Sequence, residues 1–226
     1  KDGSIYGGFY TKEQIKEVVD YAYKRGVNIV PEIELPGHSV AALAAYPEYS
    51  CTGGPFEVEK DWGVFKDIYC AGNDSTFVFL ENILDEIIEL FPSKYIHIGG
   101  DEVPKYRWKN CIKCKKRIQN ENIQDTHELQ SYFIQRIENY ISGKGKKLIG
   151  WDEILEGGLA NDATVQSWRG FEGALEAVKI GHDAIVSPTS HAYFDYDLDA
   201  IDLKKVYNFD PIPAGVPSDK EKYIIG

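Results

Sequence analysis

"KYIHIGGDEVPK", residues 94–105, carries a β-prone run into two glycines and then into two adjacent carboxylates, Asp101 and Glu102. Successive side chains of a regular strand point to opposite faces, so both acids can share one pocket only where the strand end is bent. Gly99 and Gly100 allow such a path and let a ligand approach the backbone closely. The plainer reading is an acidic N-cap with a favourable helix-dipole contact. The glycine pair favours the pocket.

Outward from this stretch the same unit recurs. Residues 75–91, "STFVFLENILDEIIELF", place Leu80, Leu84 and Ile87 on one face of a helix that leads into the quoted strand. Upstream, residues 10–26 read as a helix with a Thr11/Gln14 capping box, a stripe of Ile15, Val18, Val19 and Ala22, and Gly26 as its stop. The β-branched run "VNIVPEIEL", residues 27–35, follows as a buried strand. Downstream come a helix at 125–141 capped by Asp125 or Thr126, a strand in "KKLIGWDEI", a strand in "ATVQSWRG", a helix at 171–181 and a strand in "DAIVSPTSHAYF". Strands alternating with helices and lacking hairpin signals predict an α/β fold with a parallel sheet, either doubly wound or a (β/α)8 TIM barrel.

The barrel is favoured on two grounds. No GxGxxG or P-loop pattern follows any strand, so the usual nucleotide cradle of an open sheet is missing. Nearly every strand also ends in chemistry: Glu32, Glu34 and His38 after the first, Asp101 and Glu102 after the second, Trp151, Asp152 and Glu153 after the third, Trp168 and Arg169 after the fourth, His191, Tyr193 and Asp195 after the fifth. Polar groups at successive strand C-termini are the layout of a barrel active site. About five of the eight strands are expected within residues 1–226, read as one partial barrel domain lacking the first and last strands. The chain holds no Met and opens on Lys1, so it is expected to be a fragment or processed segment of something longer.

A formal charge of -11 argues against a nucleic-acid partner. No apolar run reaches the roughly 18 residues of a membrane span. Four cysteines, Cys51, Cys70, Cys111 and Cys114, include one CxxC in the basic stretch "RWKNCIKCKKR". It lacks the second pair or the histidines expected of a structural zinc site, so buried thiols or a disulfide are the favoured readings and no metal is assigned. The histidines show neither HxH nor HExxH spacing, and no cofactor is expected. Trp151, Trp168 and Tyr193 beside paired carboxylates suit a carbohydrate, whose apolar faces stack on aromatic rings and whose hydroxyls need acceptors. Trp62, in the long Gly-containing loop after the first strand, is read either as a lining residue or as an anchor for its own loop.

"PEIELPGHSVAAL", "HIGGDE", "GWDEI", "VQSWRG" and "SPTSHAYFDY", in this order, resemble the catalytic barrel of family 20 glycoside hydrolases, the β-N-acetylhexosaminidases. The resemblance implies release of terminal β-linked N-acetylhexosamine from an oligosaccharide or glycoconjugate by substrate-assisted hydrolysis, an exception to the ordinary two-carboxylate scheme. It implies Glu102 as general acid and base, Asp101 as the partner of the acetamide N–H, and Tyr193 as a donor to the acetamide oxygen. Trp151 and Trp168 would wall the acetamide methyl, Asp195 would bind a sugar hydroxyl, and His38 would belong to a relay whose aspartate partner lies before residue 1. The arginine of the first strand and a tryptophan and glutamate of the last are not in this chain, so the excised segment is expected to be inactive or nearly so. An extracytoplasmic location is implied by the resemblance alone, and the oligomeric state is left open. Two alternatives are weighed: a conventional retaining glycosidase using Glu102 with Asp152 or Glu153 as nucleophile, and an inactive sugar-binding relic.

Overall fold

A computed structural model describes residues 7–196 and 199–226. The sequence sets down α1 (Lys12–Tyr23), β1 (Glu32–Leu35), α2 (Val40–Ala45), α3 (Asp74–Leu90), β2 (Tyr95–Gly99), α4 (Tyr106–Asn110), α5 (Ile112–Asn120), α6 (Thr126–Gly143), β3 (Lys147–Trp151), β4 (Thr164–Ser167), α7 (Glu172–Lys179), β5 (Ala184–Val186), α8 (Thr189–Ala192) and α9 (Leu203–Tyr207). The five strands form one parallel sheet in the order β1-β2-β3-β4-β5. This is an arc of a (β/α)8 barrel, in agreement with the α/β fold expected from the sequence. Residues 224–226 add to its far side, where Ile225 N–H donates to the Ala184 carbonyl (2.9 Å) and Val186 N–H to that of Gly226 (2.8 Å).

Register levels the strand ends. Leu35 lies opposite Gly99, Trp151 opposite Gln166, and Ser167 opposite Val186, so the residues that follow each strand emerge along one rim. Ile96, Ile98, Leu148 and Val165 are all buried, as expected where both faces of a parallel strand are covered. Leu80 and Leu84 of α3, Leu129, Phe133 and Ile137 of α6, and Ala174, Ala177 and Val178 of α7 supply the covering layer. Phe77 and Phe133 meet between α3 and α6 with ring centroids 4.9 Å apart.

Several expectations are refined. The capping box is present: Thr11 Oγ1 accepts from Gln14 N–H, and the Gln14 side chain accepts from Thr11 N–H. The apolar stripe of α1, however, buries no residue, and the helix meets α3 through Lys12–Glu86 and Lys16–Glu89 ion pairs. Pairing begins at Glu32 rather than at residue 27, because Val27 and Val30 are exposed on the sheet edge and Pro31 has only a carbonyl to offer, which accepts from His97 N–H. Strict alternation fails between β3 and β4, where one 3₁₀ turn, Asp152–Leu155, stands in place of a helix. The cysteine reading also changes. No disulfide forms among the four free thiols, and the CxxC does have a second pair, because the long loop after β1 folds Cys51 and Cys70 against Cys111 and Cys114.

Packing and capping predict two different losses in urea denaturation. Phe133→Ala empties a fully buried ring site and is expected to cost ~3–5 kcal/mol. Asp125→Ala removes the carboxylate that accepts from His127 and Glu128 N–H at the start of α6, and is expected to cost ~1 kcal/mol.

Candidate active site

The bend at the end of β2 is built from three left-handed residues: Gly99 (φ 68°), Gly100 (φ 92°) and Glu102 (φ 47°). Left-handed backbone is natural for glycine and unfavourable for glutamate, so the strain falls on Glu102. Its neighbour across the rim, His38, is also left-handed (φ 48°) and follows a cis Leu35–Pro36 bond. Together these turns bring His38 Nε2 to 3.3 Å from Asp101 Oδ2 and 3.3 Å from Glu102 Oε2. Two consecutive carboxylates therefore converge on one imidazole nitrogen instead of pointing to opposite faces.

Glu34, from β1, lies over Gly99 in the space a Cβ at that position would need. Its Oε2 and the Oδ1 of Asp101 are buried without a hydrogen-bond partner among the described residues. Burial, reinforced by the negative charges of Asp101 and Glu32, pushes the Glu34 carboxyl up to about 7. Asp101 is raised by the same desolvation, against the opposing pull of its backbone hydrogen bond and of His38.

Glu32 has a different task. It accepts from Trp151 Nε1 at 2.9 Å and so fixes the indole at the end of β3. His97 lies below that indole, with ring centroids 4.9 Å apart. Its Nδ1 accepts from Gly99 N–H (3.0 Å), which places the proton of the neutral ring on Nε2. Burial holds this histidine down at about 4, so the 3.3 Å approach of Glu32 to Nδ1 is no ion pair at neutral pH.

The neighbouring strands repeat this tethering. Trp168, after β4, donates from Nε1 to Glu153 Oε2 at 3.0 Å. Asp152 accepts from Arg169 Nε at 2.7 Å and from Ser167 Oγ at 3.4 Å. Both acids are buried, and neither borders the cleft described next. Tyr193 stacks on Trp168 (6.2 Å, 26°), and Trp168 meets Trp151 edge-on (6.5 Å, 69°). Burial first, then the charge of Asp101, pushes the Tyr193 phenol up to about 12, so it keeps its proton and remains a donor.

These groups enclose a cleft of about 580 Å3. Every site residue named from the sequence, His38, Asp101, Glu102, Trp151, Trp168, Tyr193 and Asp195, lines it. So do Glu32, Glu34, Trp62 and Tyr196. Trp62 is 97% exposed, so it lines the mouth of the cleft and does not anchor its own loop. His191, one of the strand-end residues, turns away and stacks on Phe209 at 5.2 Å. One wall of the cleft is aromatic and the other carboxylic, which suits a neutral polyhydroxylated ligand with an apolar face. The atoms of His38, Asp101 and Glu102 are also close enough to share a cation.

The family model "Glycosyl hydrolase family 20, catalytic domain" matches residues 1–226. The chain belongs to that family. Among curated members, the β-hexosaminidase of Porphyromonas gingivalis is 48% identical over all of this chain and 30% of its own length. That of Vibrio furnissii is 34% identical over 92% of this chain and 36% of its own. The chain thus spans about a third of the length of these two family members. Solved structures agree in fold. A β-N-acetylhexosaminidase from Bacteroides fragilis superposes with a TM-score of 0.81 at 37% identity, covering 90% of this chain and 43% of that one. A chitobiase from Flavobacterium johnsoniae gives 0.87 at 34% identity, covering 96% and 34%.

Glu34 makes the site's stability pH-dependent. A carboxyl whose folded pKa lies above its unfolded value stabilises the native state fully below the unfolded value and ceases to do so as pH rises through the folded one. Glu34→Gln carries no ionisation penalty, so its stability relative to the wild type is expected to grow between about pH 4.5 and pH 7 and then level off. Paired urea titrations across pH 4 to 8 measure this, and a difference independent of pH would contradict it.

Proposed function

We propose that the protein containing this chain hydrolyses terminal, non-reducing β-linked N-acetylhexosamine (GlcNAc or GalNAc) from glycans, with the substrate's own acetamide as nucleophile. The observation that carries this reading is the convergence of Asp101 and Glu102 on His38 Nε2, at 3.3 Å each. Two carboxylates on one side of the cleft cannot flank an anomeric carbon from opposite faces, as a conventional retaining pair must at about 5–5.5 Å. Family membership and the names of the relatives point the same way.

In the proposed reaction Glu102 gives its proton to the glycosidic oxygen while the acetamide carbonyl oxygen attacks the anomeric carbon and the bond to the leaving group breaks. Asp101 accepts from the acetamide N–H and offsets the positive charge of the oxazolinium ion. Tyr193 donates to the acetamide oxygen. Trp151 and Trp168 enclose the methyl, and their apolar surfaces exclude water and strengthen these polar contacts. Asp195 binds a sugar hydroxyl, and His38 positions both acids. Glu102, now a carboxylate, then takes a proton from the water that attacks the anomeric carbon and opens the ring.

The rival nucleophiles, Asp152 and Glu153, are poorly suited to attack. Asp152 is 2% exposed and held by Arg169, and Glu153 is engaged by Trp168.

In the protein at its full natural length, Glu102→Gln is expected to lower kcat ~10²–10⁴-fold on substrates with poor leaving groups. Binding of the product sugar should be largely retained; its loss would make Glu102 a structural residue. Tyr193→Phe is expected to lower kcat ~10²–10³-fold. A thiazoline mimic of the cyclised intermediate should inhibit strongly. Indifference to it, together with covalent labelling by a 2-fluoro sugar, would establish an enzyme nucleophile instead. No turnover of an aryl β-N-acetylglucosaminide alongside measurable sugar binding would mark an inactive relic.

A further inference from the structure

Away from the cleft, four sulfurs meet in one place. Cys51 Sγ lies 3.7 Å from Cys114 Sγ, and Cys70 Sγ lies 3.8 Å from Cys111 Sγ and 3.7 Å from Cys114 Sγ. All four are within 4.8 Å of one another. A disulfide would need about 2.05 Å. Four thiolates on a tetrahedral zinc ion, with Zn–S about 2.3 Å, stand about 3.8 Å apart. Three of the six separations match the edges of that tetrahedron, the other three lie within 4.8 Å, and the four thiols are free.

The surroundings fit a charged centre as well. Zn²⁺ bound by four thiols displaces four protons and leaves a site of net charge −2. In a chain of net charge -11, the cysteines of the CxxC sit in its most basic stretch. Lys113, Lys115 and Lys116 are exposed beside Cys114 and enter no ion pair among the described residues. Cys111 caps α5 and Cys114 lies in its first turn, where the positive end of the helix favours thiolate. Backbone shape contributes too: a Cβ on Gly72 would overlap the main chain of Lys113 and Cys114, so glycine lets the loop behind Cys70 close on the CxxC turn.

We propose that Cys51, Cys70, Cys111 and Cys114 form a structural zinc site. Four protein ligands close the coordination sphere, so the ion is not catalytic. It clips the 51–70 segment, which carries Trp62 to the mouth of the cleft, onto the α4–α5 pair. Trp108 Nε1 donating to the Tyr69 carbonyl (2.9 Å) and the two-pronged contact of Arg107 with Asp67 (2.6 and 3.1 Å) fasten the same segment.

The test uses the protein at its full natural length, purified without chelators. Elemental analysis should find one zinc per chain beyond any other site, and titration with an organomercurial should release that zinc as four thiols react. Cobalt exchanged into the site should show thiolate charge-transfer bands and tetrahedral ligand-field absorption. Cys51→Ser should lose the zinc, whereas Cys51→His, which keeps a zinc-binding donor at the half-buried corner, should retain it. Metal-free protein with four free thiols, two disulfides found by mass spectrometry, iron in place of zinc, or zinc content unchanged in Cys51→Ser would each overturn the proposal. The mercurial titration needs no variant, so a misfolded mutant does not protect the idea.

Discussion

The rim of this sheet depends on two positions that have no side chain. At Gly99 the space of a Cβ is taken by the carboxylate of Glu34, and at Gly100 by Ile154, whose Cγ2 would lie 2.6 Å from it. Gly150, on the adjoining strand, leaves room for the same isoleucine, with Cγ2 2.7 Å from the Cβ it lacks. Fully buried Ile154 thus plugs the gap between the ends of β2 and β3. The turn that carries it also carries Asp152 and Glu153. Any side chain at residue 99 or 100 would displace Glu34 or Ile154, and with it the carboxylates that follow.

From that constraint the acids of the rim divide into two sets. Glu32, Asp152 and Glu153 are tethered: they hold Trp151, Arg169 and Trp168 by hydrogen bonds of 2.9, 2.7 and 3.0 Å. Glu34, Asp101 and Glu102 face the cleft, and the described residues leave Glu34 Oε2 and Asp101 Oδ1 without donors. A rigid aromatic wall is thereby set against a polar wall with spare acceptor capacity. Buried acceptors without donors are costly in an empty site, and a ligand bearing N–H or O–H groups would relieve that cost.

Much of this was legible in the sequence because it depends on local signals. Period and caps announced four of the nine helices among the described residues, α1, α3, α6 and α7, and the glycine pair announced the bend at Asp101 and Glu102. What escaped depends on contacts distant in the chain. Glu34 read as a strand-end acid, and nothing local showed that it would overlie Gly99, 65 positions on. Asp152 and Glu153 resembled candidate nucleophiles until Arg169 and Trp168 were seen to occupy them. The CxxC lacked partners only along the chain; its partners are 63 and 41 residues away. The stripe on α1 was legible as amphipathic, but full burial needs a surface that covers it, and α3 leaves Ile15, Val19 and Ala22 only half-buried among the described residues.

The loop between Cys51 and Cys70 shows how such a barrel can change its tastes. Ser50 and Tyr69 pair across its base as an isolated antiparallel bridge, and the flanking cysteines meet the α4–α5 turn at the same level. The two ends are therefore fixed relative to each other and to the sheet, while the tip extends over the cleft with Trp62. Because closure entropy grows only slowly with loop length, residues can be gained or lost at the tip without disturbing a strand register or the carboxylates below. Evolution can thus re-tailor the mouth of the cleft as a peripheral module, separately from the carboxylates it overhangs.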